Sequence, residues 1–77
     1  MSSMNTKIFY RFGERLKELR EQNNFTQEQL AEKVDVHQTY VQKLEAGKCN
    51  PSLKLIYKFS KALKVNLHIF FEFEKGK

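Results

Sequence analysis

A compact all-α fold of four or five short helices is what this 77-residue sequence predicts, on three observations. Apolar residues recur at steps of three and four through most of the chain, the spacing of one helical face. Helix start signals stand ahead of those stretches, the strongest being Thr26 with Gln29 three residues on. An apolar content of 40% with three Gly and one Pro is enough for a core and argues against disorder. The length sets a single small domain, residues 1–77, that buries roughly 60–65% of its unfolded surface and holds a stability on the order of 5 kcal/mol.

The first helix is expected from a cap at Asn5 or Thr6 to about Asn23, with Ile8, Phe9, Phe12, Leu16 and Leu19 on its inward face. Its other positions carry mostly compensating charges. Gly13 lies inside it, at a cost of about 1 kcal/mol relative to Ala, and a close helix-helix approach would explain it. Asn23-Asn24 ends the helix.

In the second helix Thr26 is the N-cap, Gln29 completes a capping box, and Phe25 with Leu30 forms the hydrophobic staple. Leu30, Ala31 and Val34 face inward, and Asp35 breaks the pattern after two turns. Asp tolerates left-handed backbone better than most residues, which suits a sharp turn. The third helix opens with His37 as cap and Val41 placed to staple against Val36. Val41 and Leu44 point in; Gln38, Thr39, Gln42 and Lys43 point out, with Tyr40 beside them, and Gly47 closes the helix. Helices this short do not stand alone, so both must pack on the first.

After the loop 48–51, Ser52 caps a fourth helix whose apolar face is Leu53, Ile56, Phe59 and Leu63, widened by Leu55 and Ala62. Lys54, Lys58 and Lys61 form a basic stripe at i, i+4 and i+7. The tail reads two ways. Leu67, Phe70 and Phe71 fit a short helix capped by Asn66, which is favoured, while Val65, Leu67, Ile69, Phe71 and Phe73 alternate as in a strand. Either way Ile69, Phe70, Phe71 and Phe73 exceed what so small a core needs, so residues 65–77 are expected to be a dimerisation tail.

The net charge is +5, and its placement narrows the function. Six lysines stand between Lys43 and Lys64 against one acid, Glu45, while eight basic and eight acidic residues cancel elsewhere. Such a patch attracts polyanions, nucleic acid or an anionic membrane surface. The membrane alternative is the weaker, since no helix combines a basic face with an exposed apolar one.

Other classes find little support. A lone Cys49 forms no internal disulfide, residues 1–6 are polar with no apolar signal region after them, and no apolar run approaches the roughly 20 residues that cross a bilayer. A soluble cytoplasmic protein is expected. His37 and His68 have no second Cys and no H-x-x-x-H spacing to make a metal site, no Gly-rich phosphate loop is present, and no base or oxyanion hole accompanies Cys49, whose neighbour Lys48 would lower its pKa. No catalysis, cofactor, metal or small-molecule substrate is expected.

Double-stranded DNA fits the third helix. A helix enters the major groove when it is supported from behind and carries base-reading side chains in front. Val41 and Leu44 supply support; Gln38, Thr39, Gln42 and Lys43 are the candidate readers, Gln suiting adenine and Lys the guanine acceptors. Gln27, opening the second helix, is placed to join the helix-end N–H groups on a phosphate.

The run TQEQLAEKV-D-V-HQTYVQKLEAGK, followed by CNPSLKLIYKFSKALKV, resembles the Cro/cI-like (lambda-repressor-like, Xre-type) helix-turn-helix family over roughly Phe12 to Phe71. The resemblance implies a compact lambda-repressor-like domain of four to five helices, 12–71, that binds an operator as a dimer on a palindrome and regulates transcription, as a repressor or otherwise. It places Gln27, Gln38, Lys48 and the Asn50 loop at the DNA backbone or first base, and Thr39, Gln42 and Lys43 at bases. His37 and Lys54 join the backbone set; Tyr40 is either a backbone contact or a packing residue. Arg20 and Glu45 fall where a structural ion pair links the first and third helices. Asp35 and Lys64 replace glycines common in the family, at a cost of about 1 kcal/mol each. His37 replaces a small hydroxyl cap. The phrase His37-Gln38-Thr39-Tyr40-Val41 is similar to the third helix of restriction-modification controller proteins. The competing class is a protein-interaction module on the same fold, using the Phe-rich tail as its binding surface.

Overall fold

The computed structural model describes the backbone of residues 3–74 and the side chains of residues 7–72. Four α-helices follow one another: α1 (Ser3–Gln22), α2 (Gln27–Val34), α3 (Gln38–Glu45) and α4 (Leu53–Leu63). A 3-10 segment, Leu67–Glu74, ends the described chain. Among the described residues there is no strand, so the strand alternative for the tail is set aside. The segment is interrupted at Phe71, where φ is −118° and ψ is 16°.

The longest helix is the platform. α1 packs against α3 and the terminal segment, α2 against α3 and α4, and the terminal segment also touches α4. Phe12, Leu16 and Leu19 of α1 meet Leu30, Val34, Val41, Leu44, Phe59 and Leu63 in one core. The periodic positions thus bury as expected, with instructive departures. α1 begins at Ser3, ahead of Asn5 and Thr6, so neither caps it. Ile8 is exposed. On α4, Leu53 stands in solvent at 75% exposure while Leu55 is buried, because the face that joins Phe59 and Leu63 runs through 55 and 56.

Phe70 also departs from expectation. It is fully buried, its ring 5.4 Å from that of Phe12, so it completes the core of its own chain and is unavailable to a partner. Arg15 ties the same segment to α1 by donating from Nε to the Ile69 carbonyl at 2.9 Å, with Glu72 3.6 Å from its other end. Ile69 is half-buried and Phe71 exposed; the Phe73 side chain lies outside the described residues.

All four helices close alike. Phe25, Val36, Lys48 and Val65 donate their N–H groups five residues back, to the carbonyls of Arg20, Ala31, Lys43 and Ser60. That six-to-one closure needs a left-handed residue just before the donor. Asn24, Asp35, Gly47 and Lys64 provide it, with φ of 61°, 61°, 74° and 60°. Only one is glycine, so three side chains accept a conformation that disfavours a Cβ. At the other ends, Thr26 and Gln29 form the full capping box, and the Ser52 hydroxyl accepts from the Leu55 N–H.

Candidate nucleic-acid interface

α3 is held from behind at three places. Val41 and Leu44 are buried. Gly13 of α1 faces the carbonyls that end α3: a Cβ there would collide with the Leu44 oxygen and lie 2.7 Å from that of Glu45. The glycine therefore permits a backbone-to-backbone approach that any side chain would block. Thirdly, Glu45 takes a two-point ion pair from Arg20, Nε to Oε2 at 2.6 Å and NH2 to Oε1 at 3.1 Å. The hydrogen bond to Glu45 lifts the Arg20 pKa above its ordinary value against the opposing effect of burial. Arg20 also donates to the Phe25 carbonyl at 2.8 Å, so it reaches the start of α2.

Gln27 joins this network, which its sequence position did not reveal. Its Nε2 donates to Glu45 Oε1 at 3.0 Å and the residue is half-buried. One amide hydrogen is thereby spent inside the protein, and Gln27 braces α2 against α3.

With its back fixed, α3 presents Gln38, Thr39, Gln42 and Lys43 to solvent, all four exposed. At its start His37 caps with a ring nitrogen: Nδ1 accepts from the Thr39 N–H at 3.2 Å. Nδ1 accepts only while unprotonated, so the neutral ring carries its proton on Nε2, a donor at the mouth of the helix. Tyr40 is half-buried against the core and lines a small cleft with Lys54. Lys48, Asn50 and Lys54 are exposed on the loop and helix beyond α3.

Cys49 is half-buried, and desolvation pushes its thiol pKa up, with Lys43 rather than Lys48 opposing. A raised thiol pKa disfavours the nucleophilic thiolate. Among the described residues no three His, Cys, Asp or Glu side chains gather as metal ligands. Nor is any described helix long and apolar enough to cross a membrane.

A two-turn helix braced from behind, its polar face bare, invites comparison with known folds. The helix-turn-helix family model matches residues 16–70. The chain belongs to the helix-turn-helix family. An uncharacterized helix-turn-helix-type transcriptional regulator of Archaeoglobus fulgidus is 43% identical over 61 residues, covering 79% of this chain and 86% of its own. The restriction-modification controller protein C.AhdI of Aeromonas hydrophila superposes with a TM-score of 0.79 at 36% identity, over 82% of this chain and 96% of its own. The controller protein C.Esp1396I, solved as a tetramer on its natural 35-base-pair operator, superposes with a TM-score of 0.75 at 29% identity, over 86% and 87%. The matched residues include α2 and α3, and the contacts at Gly13 and Glu45 hold α3 against α1 and α2.

Proposed function

We propose that this chain is a sequence-specific DNA-binding transcriptional regulator of the restriction-modification controller kind, working in the cytoplasm as a dimer and without catalytic activity. The observation that carries the reading is the division of α3, whose apolar side is sealed against α1 and α2 while Gln38, Thr39, Gln42 and Lys43 stand in solvent. A helix so mounted fits the major groove, and those side chain types match base edges. Similarity to controllers, one of them solved on its operator, supports the choice.

Residues 12–71 form the DNA-binding unit and 65–77 the pairing tail. Gln38, Thr39, Gln42 and Lys43 read bases; His37 Nε2, Lys48, Asn50 and Lys54 hold phosphates, which position the helix without reading sequence. Gln27 and Tyr40 serve chiefly as supports with a remaining polar group toward the backbone. The lysines supply salt-dependent, sequence-independent affinity.

Selection of bound sites from a random duplex library tests the reading, with a palindromic site as the expected product. Gln38→Ala or Lys43→Ala then costs about 1–3 kcal/mol at one base pair, and Lys48→Ala weakens all sequences alike. Equal proportional losses of specific and non-specific binding in Gln38→Ala and Lys48→Ala would reverse the assigned roles. No enriched site and no salt-dependent duplex affinity would leave the protein-interaction alternative standing.

A further inference from the structure

α4 carries an outward surface that DNA reading does not use. Leu53 is 75% exposed and Tyr57 50%, so α4, contrary to the expectation from sequence, does set exposed apolar side chains beside its basic stripe. Four residues apart, they are neighbours on the helix. Lys61 continues the ridge, its Nζ 5.4 Å from the centre of the Tyr57 ring. Alongside lies an open trough of about 630 Å³ between the end of α2 and the second half of α4. Lys33, Lys58, Lys61 and Lys64 line it against one carboxylate, Asp35, and no residue of α3 takes part. Among the described residues, no carboxylate lies within ion-pair distance of Lys58, Lys61 or Lys64. Lys33 comes from outside the basic segment of the sequence and joins it only through the fold.

We propose that this ridge and trough bind an acidic, amphipathic segment of a second protein, its apolar side chains covering Leu53 and Tyr57 and its carboxylates meeting the lysines. Duplex phosphates would satisfy the lysines equally well. They would leave Leu53 and Tyr57 in water, however, whereas a protein segment removes both from it, which is the non-directional part of most association. Tyrosine is also among the residues that most often anchor an interface inside a polar rim. Four lysines facing one acid would speed encounter with an acidic partner and fix its register. The α1 face of a second copy is a poor match, because its glutamates alternate there with Arg11, Arg15 and Lys17. The surface is separate from α3, so a protein standing on DNA could hold such a partner at the same time.

A random 16-residue peptide library displayed on phage, selected on the full chain with excess random duplex as competitor, provides the test. The enriched peptides are synthesised and titrated by fluorescence anisotropy against the wild type, Leu53→Ala, Tyr57→Ala and Lys61→Glu. All three positions are exposed, and circular dichroism melting confirms that the variants fold. The expected peptides combine Asp or Glu with Leu or Phe at helical spacing and bind each variant at least tenfold more weakly. Leu53→Ala and Tyr57→Ala keep full affinity for random duplex. No enrichment, or peptides that bind the variants as they bind the wild type, overturns the proposal. Equal loss of duplex and peptide affinity in the two alanine variants overturns it too, and assigns the face to nucleic acid.

Discussion

Arg20 and Gln27 converge on one oxygen: Oε1 of Glu45 accepts from Arg20 NH2 at 3.1 Å and from Gln27 Nε2 at 3.0 Å, while Oε2 takes Arg20 Nε at 2.6 Å. A single carboxylate at the end of α3 thus collects donors from the end of α1 and the start of α2. The Arg20 and Glu45 side chains are only 10% and 5% exposed, so each charge depends on the other.

Removing one partner should therefore cost more than the pair itself contributes. Glu45→Ala strands a buried guanidinium, and the expected loss is about 3 kcal/mol in urea unfolding. Gln27→Ala, which removes one neutral donor, should cost about 1 kcal/mol. The double variant Arg20→Met with Glu45→Leu should recover most of the loss. A double variant no better than Glu45→Ala would show that the network does more than neutralise buried charge.

Gly13→Ala should destabilise despite alanine's better helix propensity. The gain of about 1 kcal/mol for an interior helical glycine is outweighed because the added methyl meets carbonyl oxygens of α3, which are backbone and cannot rotate away. The net expected loss is about 1–3 kcal/mol, with weaker operator binding than the loss of folded protein explains. A stabilised Gly13→Ala would mean that α1 and α3 are separable.

Asp35→Gly and Lys64→Gly should each gain up to about 1 kcal/mol, since both residues hold φ near 60° where a Cβ is disfavoured. Gly47→Ala should do the opposite and more, because its Cβ would lie 2.8 Å from the Tyr10 Cα. Thermal melts of the three variants decide it, and an unchanged midpoint for both glycine variants would show that the turns carry no strain.

The tail separates two phenylalanines that look alike in sequence. Phe70→Ala should cost about 3–5 kcal/mol, close to the whole stability of so small a domain, because the ring fills the core beside Phe12. Phe71→Glu, at a position 37% exposed, should stay folded and sediment as a monomer. A Phe71→Glu dimer of unchanged affinity would place the pairing surface elsewhere.

Much of this architecture was legible because its signals are local. Thr26 with Gln29, Ser52 and Gly47 mark helix ends through contacts within a few residues; Asp35 marks a left-handed turn by where the periodicity stops, and Lys64 by standing where the resembled family has glycine. The signals that misled were those settled across the fold. Leu53 and Leu55 lie two apart on α4, and only the burial of Phe59 and Leu63 in the shared core decides which of them faces in. Phe70 looked surplus beside Ile69 and Phe71, yet its ring is fully buried 5.4 Å from that of Phe12. Gln27 looked free for phosphate at a helix start, but Glu45, 18 residues away, takes its amide. The start of α1 was missed because Asn5 and Thr6 are competent caps that the helix simply runs past.

α1 carries both ends of the molecule's geometry on neighbouring turns. Phe12 and Arg15 hold the terminal segment, while Gly13 and Arg20 hold α3. In a dimer joined through that segment, the distance from one α3 to its twin would be set by a rigid rod rather than by a hinge. The protein would then measure as well as read. Operators with correct half-sites but one base pair added between them should be rejected in a binding titration.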